Sequence, residues 1–461
     1  MNLHQMLLAR AEEDKPIRVG LIGAGKFGSM FLAQALHTAG LHVLCVADLS
    51  VERTRKAMLA AGWPEERTTA ASPAKARATG ATFLTDDADG LINASGLDVV
   101  IEATGIPEAG IRHALACIER GRHIIMVNVE ADVLAGPLLA EKARQAGIVY
   151  SMAYGDQPAL ICEQVDWARA AGFEVVSAGK GTLYMPEFHA STPETVWGHY
   201  GLTPERAEQS GLNPKMFNSF LDGTKSGIEM AAVANATGLS PAPGGLTFPP
   251  CPALKLAATL IPETDGGTLH HKGQVEVVSS RGRDGKDLDG DLRWGVFVTF
   301  EAPSDYVRDC FSDYGLTTDS SGRYSALWRP YHLIGLELGI SVAMAVLRGE
   351  ATGAPTGFRA DVVACAKRDL EAGEVLDGEG GYTIWGRLMV AGDSLTLGAV
   401  PIGLAHNLTL KAPIQKGDVV KWSDVDATGL DSSMAFRVRR EMEARMTPLK
   451  DNTAKARAAS S

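Results

Sequence analysis

Lys180 stands between two glycines in AGKG (178–181), and Asp222, Lys225 and Glu229 fall at i, i+3 and i+7 in LDGTKSGIE (221–229). On a helix that spacing puts all three on one face. A lysine can hold an oxygen on which negative charge develops, and a carboxylate can take or return a proton. The set therefore suits chemistry at a carbonyl or hydroxyl carbon, with the flanking glycines letting a substrate approach Lys180. The same residues also suit an N-cap aspartate, a Lys–Glu surface pair and a surface lysine at a strand end. Arg323, Arg329 and His332 crowd GRYSALWRPYH (322–332). They could receive a substrate phosphate, or form a solvated loop with an arginine stacked on Trp328. Asp156 and Glu163 flank the start of one helix, as metal ligands or as caps. Tyr154 and Gln157 in AYGDQPA (153–159) follow a strand and are candidate substrate contacts.

A second group of residues suits a dinucleotide. VGLIGAGKFGSM (19–30) holds Gly23, Gly25, Lys26, Phe27 and Gly28. A strand is expected before it at 17–23, a helix after it at 26–40, and a second strand at 41–48 that ends on Asp48. In that context Gly23 makes a tight turn, Gly25 admits the pyrophosphate to the helix N-terminus, and Gly28 lets helix and strand pack closely. A further strand, 96–105, ends on Thr104 and Gly105, which join the cofactor-binding set. An acid at the position of Asp48 bonds the ribose 2′-hydroxyl and favours NAD. Ser50, Arg53 and Arg55 come just after it and could balance a 2′-phosphate if Asp48 turns away.

Apolar strands continue to alternate with amphipathic helices: helices at 51–63, 107–121 and 135–147, strands at 123–130 and 148–155. That rhythm predicts a doubly wound parallel sheet, a Rossmann domain over 1–152. An α+β catalytic domain is expected over 153–355. It comprises a helix at 157–171, a strand at 173–185, a helix at 222–238, antiparallel strands within 273–303 joined by a turn-rich stretch, and a long apolar helix at 331–349. The last hundred residues repeat a pattern, KRDLEAGEVLDGEG (367–380) and KAPIQKGDVVKWSDV (411–425). A small β-rich domain resembling the antifreeze-like SAF module is expected at 356–446, and a disordered tail at 447–461.

Composition narrows the classes. A net charge of −11 argues against nucleic acid as a main partner. No apolar stretch is long enough to span a bilayer, and the N-terminal segment lacks the pattern of a signal peptide. The six cysteines are scattered without a CxxC pair, as in reduced thiols of a cytoplasmic protein.

SFLDGTKSGIEMAAVANATGL (219–239) and AGKGTLYMP (178–186) are similar to segments of homoserine dehydrogenases, the second to the strand that supplies their substrate lysine. Those enzymes carry Asn-Lys after the fifth strand; here Asn128-Val129-Glu130 stands there. The chain to about residue 446 resembles the 1-deoxy-D-xylulose 5-phosphate reductoisomerase-like (DXR-like, DRL) family. The resemblance rests on IRVGLIGAGKFGSMF, MVNVEADVLAGPLLAEKAR, AYGDQPALICE, NSFLDGTKS, RPYHLIGLEL and GEGGYTIWG. It implies reduction and rearrangement of deoxyxylulose phosphate to methylerythritol phosphate, in isoprenoid precursor synthesis. It further implies NADP(H), a divalent metal (Mn or Mg), a phosphorylated sugar as substrate and a homodimer. Two other classes remain: an NAD(P)-dependent dehydrogenase of a small hydroxy or keto compound without rearrangement, and a non-catalytic redox sensor. Lys180 and the Asp222, Lys225, Glu229 set speak against the sensor.

Overall fold

A computed structural model describes residues 2–446; the expected tail at 447–461 lies outside the described residues. The chain divides into two compact units. The first runs to Glu163 and takes up His332–Thr356; the second is Gln164–Tyr331 with the chain from Gly357.

The first unit begins with α1 (Leu3–Glu12), then alternates β1 (Ile17–Ile22), α2 (Lys26–Ala35), β2 (Leu41–Ala47), α3 (Val51–Ala60), α4 (Pro73–Thr79), β3 (Phe83–Thr85), α5 (Ala88–Ile92), β4 (Val99–Glu102), α6 (Pro107–Glu119), β5 (His123–Met126), α7 (Val129–Gln145), β6 (Tyr150–Met152) and α8 (Gln157–Ala170), which runs on into the second unit. The six strands form one parallel sheet in the order β3-β2-β1-β4-β5-β6. Their near-continuous apolar runs are what a sheet covered on both faces requires. The order reverses between β1 and β4, and a doubly wound sheet opens its ligand crevice there.

The structure corrects four local expectations. α2 stops at Ala35, not Gly40. Gly40 (φ +73) instead leads into β2, its carbonyl accepting from Ile17 N–H at 2.8 Å. α7 starts at Val129 because the Asn128 side chain caps it, accepting from Ala131 N–H at 3.1 Å. β3 and α5 are too short to show a period. The apolar run 331–349 is not one helix. Gly335 (φ +79) breaks it, and the chain continues as α15 (Gly339–Ala343) and a π-helical turn, Met344–Arg348. Leu338, Val342, Ala343 and Ala345 are buried in the first unit's core with Phe31, Leu32 and Val19.

The second unit is built on β7 (Glu174–Thr182), α9 (Val196–His199), α10 (Pro204–Gln209), α11 (Pro214–Leu221), α12 (Thr224–Thr237), α13 (Leu256–Thr259), β8 (Gln274–Ser279), β9 (Val296–Glu301), α14 (Asp305–Asp313) and β10 (Tyr324–Arg329). The strands form a mixed sheet, β10-β9-β7-β8. β8 and β9 are not a hairpin. β7 lies between them, parallel to β8 and antiparallel to β9. On α12 packs a second layer, β11 (Ala360–Ala366) and β12 (Ile384–Val390). Gly386 N–H donates to Thr224 Oγ1 at 2.7 Å, and the Asn235 amide oxygen accepts from the N–H groups of Arg359 and Ala360. α12 is buried over most of its length.

The repeat in the sequence is a repeat in space. Leu370 and Ile414, equivalent positions of the two segments, exchange backbone hydrogen bonds at 2.8 and 2.9 Å. Gly373 N–H donates to Leu410 carbonyl, and its counterpart Gly417 donates to Ala366 carbonyl. The two segments thus face each other about a local two-fold axis. Beyond β12 come α16 (Ala391–Leu397), β13 (Thr409–Leu410), β14 (Val425–Asp426) and α17 (Met434–Arg445). α17 is pinned by Arg439, 1% exposed, whose guanidinium bonds both Asp361 oxygens at 3.1 and 2.6 Å and stacks on Phe358.

Candidate active site

In the first unit the loop from β1 to α2 is a cradle for a dinucleotide. Gly23 takes φ +94, and a Cβ there would lie 2.6 Å from the Ala103 carbonyl oxygen. A Cβ at Gly28 would lie 2.2 Å from the Gly23 oxygen. These two glycines are demanded by the protein's own backbone. Gly25 is different: a Cβ there would meet nothing within 4 Å. It faces open space at the head of α2, whose first N–H groups attract an anion. Lys26 is exposed beside it, and Phe27 packs against the core of the unit.

Asp48 does not turn away. Its carboxylate accepts from Ala24 N–H at 2.9 Å, Ser50 N–H at 3.1 Å and Arg53 Nη2 at 2.7 Å. Partial burial pushes its carboxyl upward, but the two backbone N–H groups and the Arg53 guanidinium outweigh that and hold it below its ordinary value. The negative charge is therefore fixed beside the glycine loop.

Across the switch point, Thr104 and Gly105 (φ +68) form a loop braced from below. Fully buried Glu102 accepts from Thr104 Oγ1 at 2.5 Å and faces His113 Nδ1 at 3.3 Å, and Asn128 Nδ2 donates to Ile106 carbonyl at 3.0 Å. Sequence reasoning misses Glu102. An acid closing an apolar strand is the signal that could have found it.

In the second unit Lys180 and Glu229 meet. Both are nearly buried (6% and 5% exposed), and Lys180 Nζ donates to a Glu229 carboxylate oxygen. β7 presents the lysine and α12 the glutamate. The glycines beside Lys180 serve the backbone rather than a substrate: a Cβ at Gly179 would strike the Glu276 carbonyl, and one at Gly181 the Leu292 carbonyl. Lys225 is half-buried in the first turn of α12.

Asp222 does not join this group. It precedes α12, accepts from Thr224 N–H at 2.9 Å, and pairs with Lys367 at 2.8 Å. Burial pushes its carboxyl upward, against the pull of Lys367 and Thr224. Lys367 also donates to the carbonyls of Ser191 and Gly381. Asp222 and Lys367 thus tie α12 to the C-terminal part of the unit.

The remaining candidates are dispersed. Arg323 and Arg329 bracket β10, roughly 20 Å apart at the rise of a strand. Arg323 pairs with Asp305, and Arg329 stacks on Tyr331 rather than Trp328. His332 belongs to the first unit. Arg323 and Arg329 therefore do not converge on one phosphate.

Tyr154, Asp156, Gln157 and Glu163 lie together in the first unit. Tyr154 Oη donates to Glu163 at 2.7 Å, and Asp156 accepts from Gln157 N–H at 2.9 Å at the start of α8. Among the described residues no three His, Cys, Asp or Glu side chains gather as a metal site. The residues present do not fit the divalent ion that the resemblance implies.

Residues 155–338 match the family model described as oxidoreductase DRL, catalytic domain. Residues 19–151 match that of homoserine dehydrogenase, NAD binding domain. Together the two matches place an NAD-binding domain of the homoserine dehydrogenase type ahead of a segment of the DRL catalytic type. No curated protein matches the chain. Among solved structures it is similar to the oxidoreductase yvaA of Bacillus subtilis (13% identity, 73% of this chain and 89% of that one, TM-score 0.37). It is also similar to a homoserine dehydrogenase of Thiobacillus denitrificans (18%, 49% and 50%, TM-score 0.34) and a biliverdin reductase of Synechocystis sp. PCC 6803 (19%, 42% and 55%, TM-score 0.26). The chain spans about half the length of several solved relatives, from 43% to 55%. Likenesses of this size carry no argument about activity. No helix among the described residues is long and apolar enough to cross a membrane.

Proposed function

We propose that the protein is an NAD(P)H-dependent reductoisomerase that converts 1-deoxy-D-xylulose 5-phosphate to 2-C-methyl-D-erythritol 4-phosphate, as a cytoplasmic homodimer. The observation that carries this reading is the buried Lys180–Glu229 pair, in the segment that matches the DRL catalytic domain. When bound, the reduced nicotinamide supplies a hydride to a carbonyl carbon. Lys180 holds the carbonyl oxygen as it becomes an alkoxide and gives it a proton. Glu229 orients the ammonium, and after the transfer Lys180 recovers its proton from solvent. A charge held ready in a site with little water stabilises a developing oxyanion more than water would.

A second reading is favoured by Asp48. Its fixed carboxylate suits the ribose diol of NAD(H) and opposes a 2′-phosphate. That supports NAD-linked dehydrogenation of a small hydroxy or keto compound without rearrangement. One experiment separates the two readings. Purified protein receives NADH or NADPH with deoxyxylulose phosphate and Mn²⁺ or Mg²⁺, and in parallel NAD⁺ or NADP⁺ with homoserine. Cofactor oxidation with formation of methylerythritol phosphate is the expected result. Turnover of homoserine but not of the sugar phosphate overturns the reductoisomerase.

A further inference from the structure

At the C-terminal end of β7 three loops converge: 183–201 after β7, 280–285 after β8, and 291–295 before β9. They line an open cavity of about 380 Å³. Its apolar side is Leu183, Met185 and Phe188, which belong to the cluster around Val196 and Trp197. Its polar side holds two guanidinium groups, Arg281 and Arg293, with His199 and Tyr200.

The two arginines are incompletely engaged. Arg281 gives only its Nε to Asp287, at 2.7 Å, and that carboxylate is 74% exposed. Such a pair is weak. Arg293 has no carboxylate at ion-pair distance among the described residues. Its guanidinium lies 4.9 Å from the ring centroid of Trp294 and 5.8 Å from that of Tyr200. Stacking of this kind fixes the plane of the fork and leaves its N–H groups for a ligand. Burial, which outweighs the opposing pull of Arg293, pushes the Tyr200 hydroxyl up to about 12, so it keeps a proton to donate. Burial lowers His199, with Arg281 adding to the effect and Glu187 opposing it. Glu187 is the one carboxylate lining the cavity, and it is exposed.

The cavity adjoins the strand that carries Lys180. Leu183 lies three residues further along the chain, roughly 10 Å at strand rise. A Cβ at Gly181 would come within 3.0 Å of Arg293 N, so the backbone of Arg293 runs beside Lys180's neighbour. We propose that this cavity seats an oxyanion of the substrate, a phosphate or a carboxylate remote from the reacting carbon, held by Arg281 and Arg293. The assignment rests on the reading of Lys180 as the group that meets the reacting oxygen. It replaces Arg323, Arg329 and His332 as the anion site. A guanidinium fork matches either oxyanion with two parallel hydrogen bonds.

Trp294, 60% exposed against Arg293, offers a reporter. Inorganic phosphate and succinate are titrated separately against the full chain, at ionic strength matched with chloride, while tryptophan emission is recorded. Trp294→Phe identifies the signal. Saturable binding of one anion is expected, and the stronger of the two names the group. Arg293→Gln and Arg281→Gln should each weaken it about 10- to 100-fold, the scale of one lost charged hydrogen bond. Arg293→Lys, which keeps charge without the fork, should fall between. Responses no stronger than chloride, or indifferent to both arginine variants, overturn the proposal. So does binding that Arg323→Gln weakens equally. The titration needs no turnover, so it holds its meaning if the reductoisomerase assay fails. If that assay succeeds, Arg293→Gln should raise KM for the sugar phosphate by the same factor with kcat little changed, and an unchanged KM overturns the assignment.

Discussion

Lys180 is one cation in a nearly closed position, and its loss tests the chemistry directly. Lys180→Met keeps the length and removes the charge. A group that acts on the transition state lowers kcat and kcat/KM together. We expect a loss of about 10²–10³ in both, with dinucleotide affinity intact by fluorescence titration; near-normal turnover removes Lys180 from the mechanism. Gly25→Val tests the cradle. Gly25 has an ordinary negative φ of −66 and open space where a Cβ would stand. The variant should fold with an unchanged melting curve and fail to bind NADH or NADPH. Retained affinity refutes the placement of the pyrophosphate. Asp48→Ala tests cofactor choice. Removing a charge held beside the glycine loop should shift the ratio of kcat/KM toward NADPH by about tenfold, the scale of one charge contact near a surface. An unchanged ratio means that Asp48 does not face the ribose.

At the scale of elements, charges that choose distant partners hold the second unit. α12 is anchored at its start by Asp222 to Lys367 and along its length by Thr224 and Asn235 to β12 and β11. α17 is anchored by the buried Arg439–Asp361 pair, with Ser394 also donating to Asp361. Breaking such a pair leaves a charge without a partner in a dry site, which costs roughly 3–5 kcal/mol. Arg439→Met should show that loss in urea denaturation, and adding Asp361→Leu should restore much of it. A loss under about 1 kcal/mol would mean that α17 is not held by this pair. The paired segments around Leu370 and Ile414 illustrate the opposite case. Their likeness is visible in sequence because each strand-turn carries its own signature, a glycine before an acid, at Gly373 and Gly417 (φ +89 and +88).

At the scale of the whole molecule, the chain leaves the first unit at Glu163 and returns to it at His332. Leu338 and Val342 are buried against the first unit's core, at 1% and 0% exposure. Removing large buried side chains of this kind costs about 2–5 kcal/mol each. A chain ending at Tyr331 should therefore lose NAD(P) binding and show increased dye binding to exposed apolar surface, although every glycine-loop residue is present. Normal cofactor affinity in that truncated chain would show that 332–356 is dispensable to the first unit.

What the sequence determined by itself was local or periodic. The glycine fingerprint, the apolar strands and the helix at 222–238 are set by spacings within one or two turns, and these survive whatever the chain packs against. That much established the doubly wound sheet and placed Lys180 on a strand and Glu229 on a helix. The tertiary structure decided partnership. Asp222 and Glu229 share a helical spacing, yet Asp222 lies before the helix proper, where Gly223 at φ +93 redirects the chain, and Lys367 claims it. Arg323 and Arg329 are close in sequence but separated by an extended strand. Arg281 and Arg293 flank a turn-rich loop and converge because β7 lies between β8 and β9. Burial, and with it the strength of each charge, depends on which surfaces the fold brings together. No short window of residues contains that information.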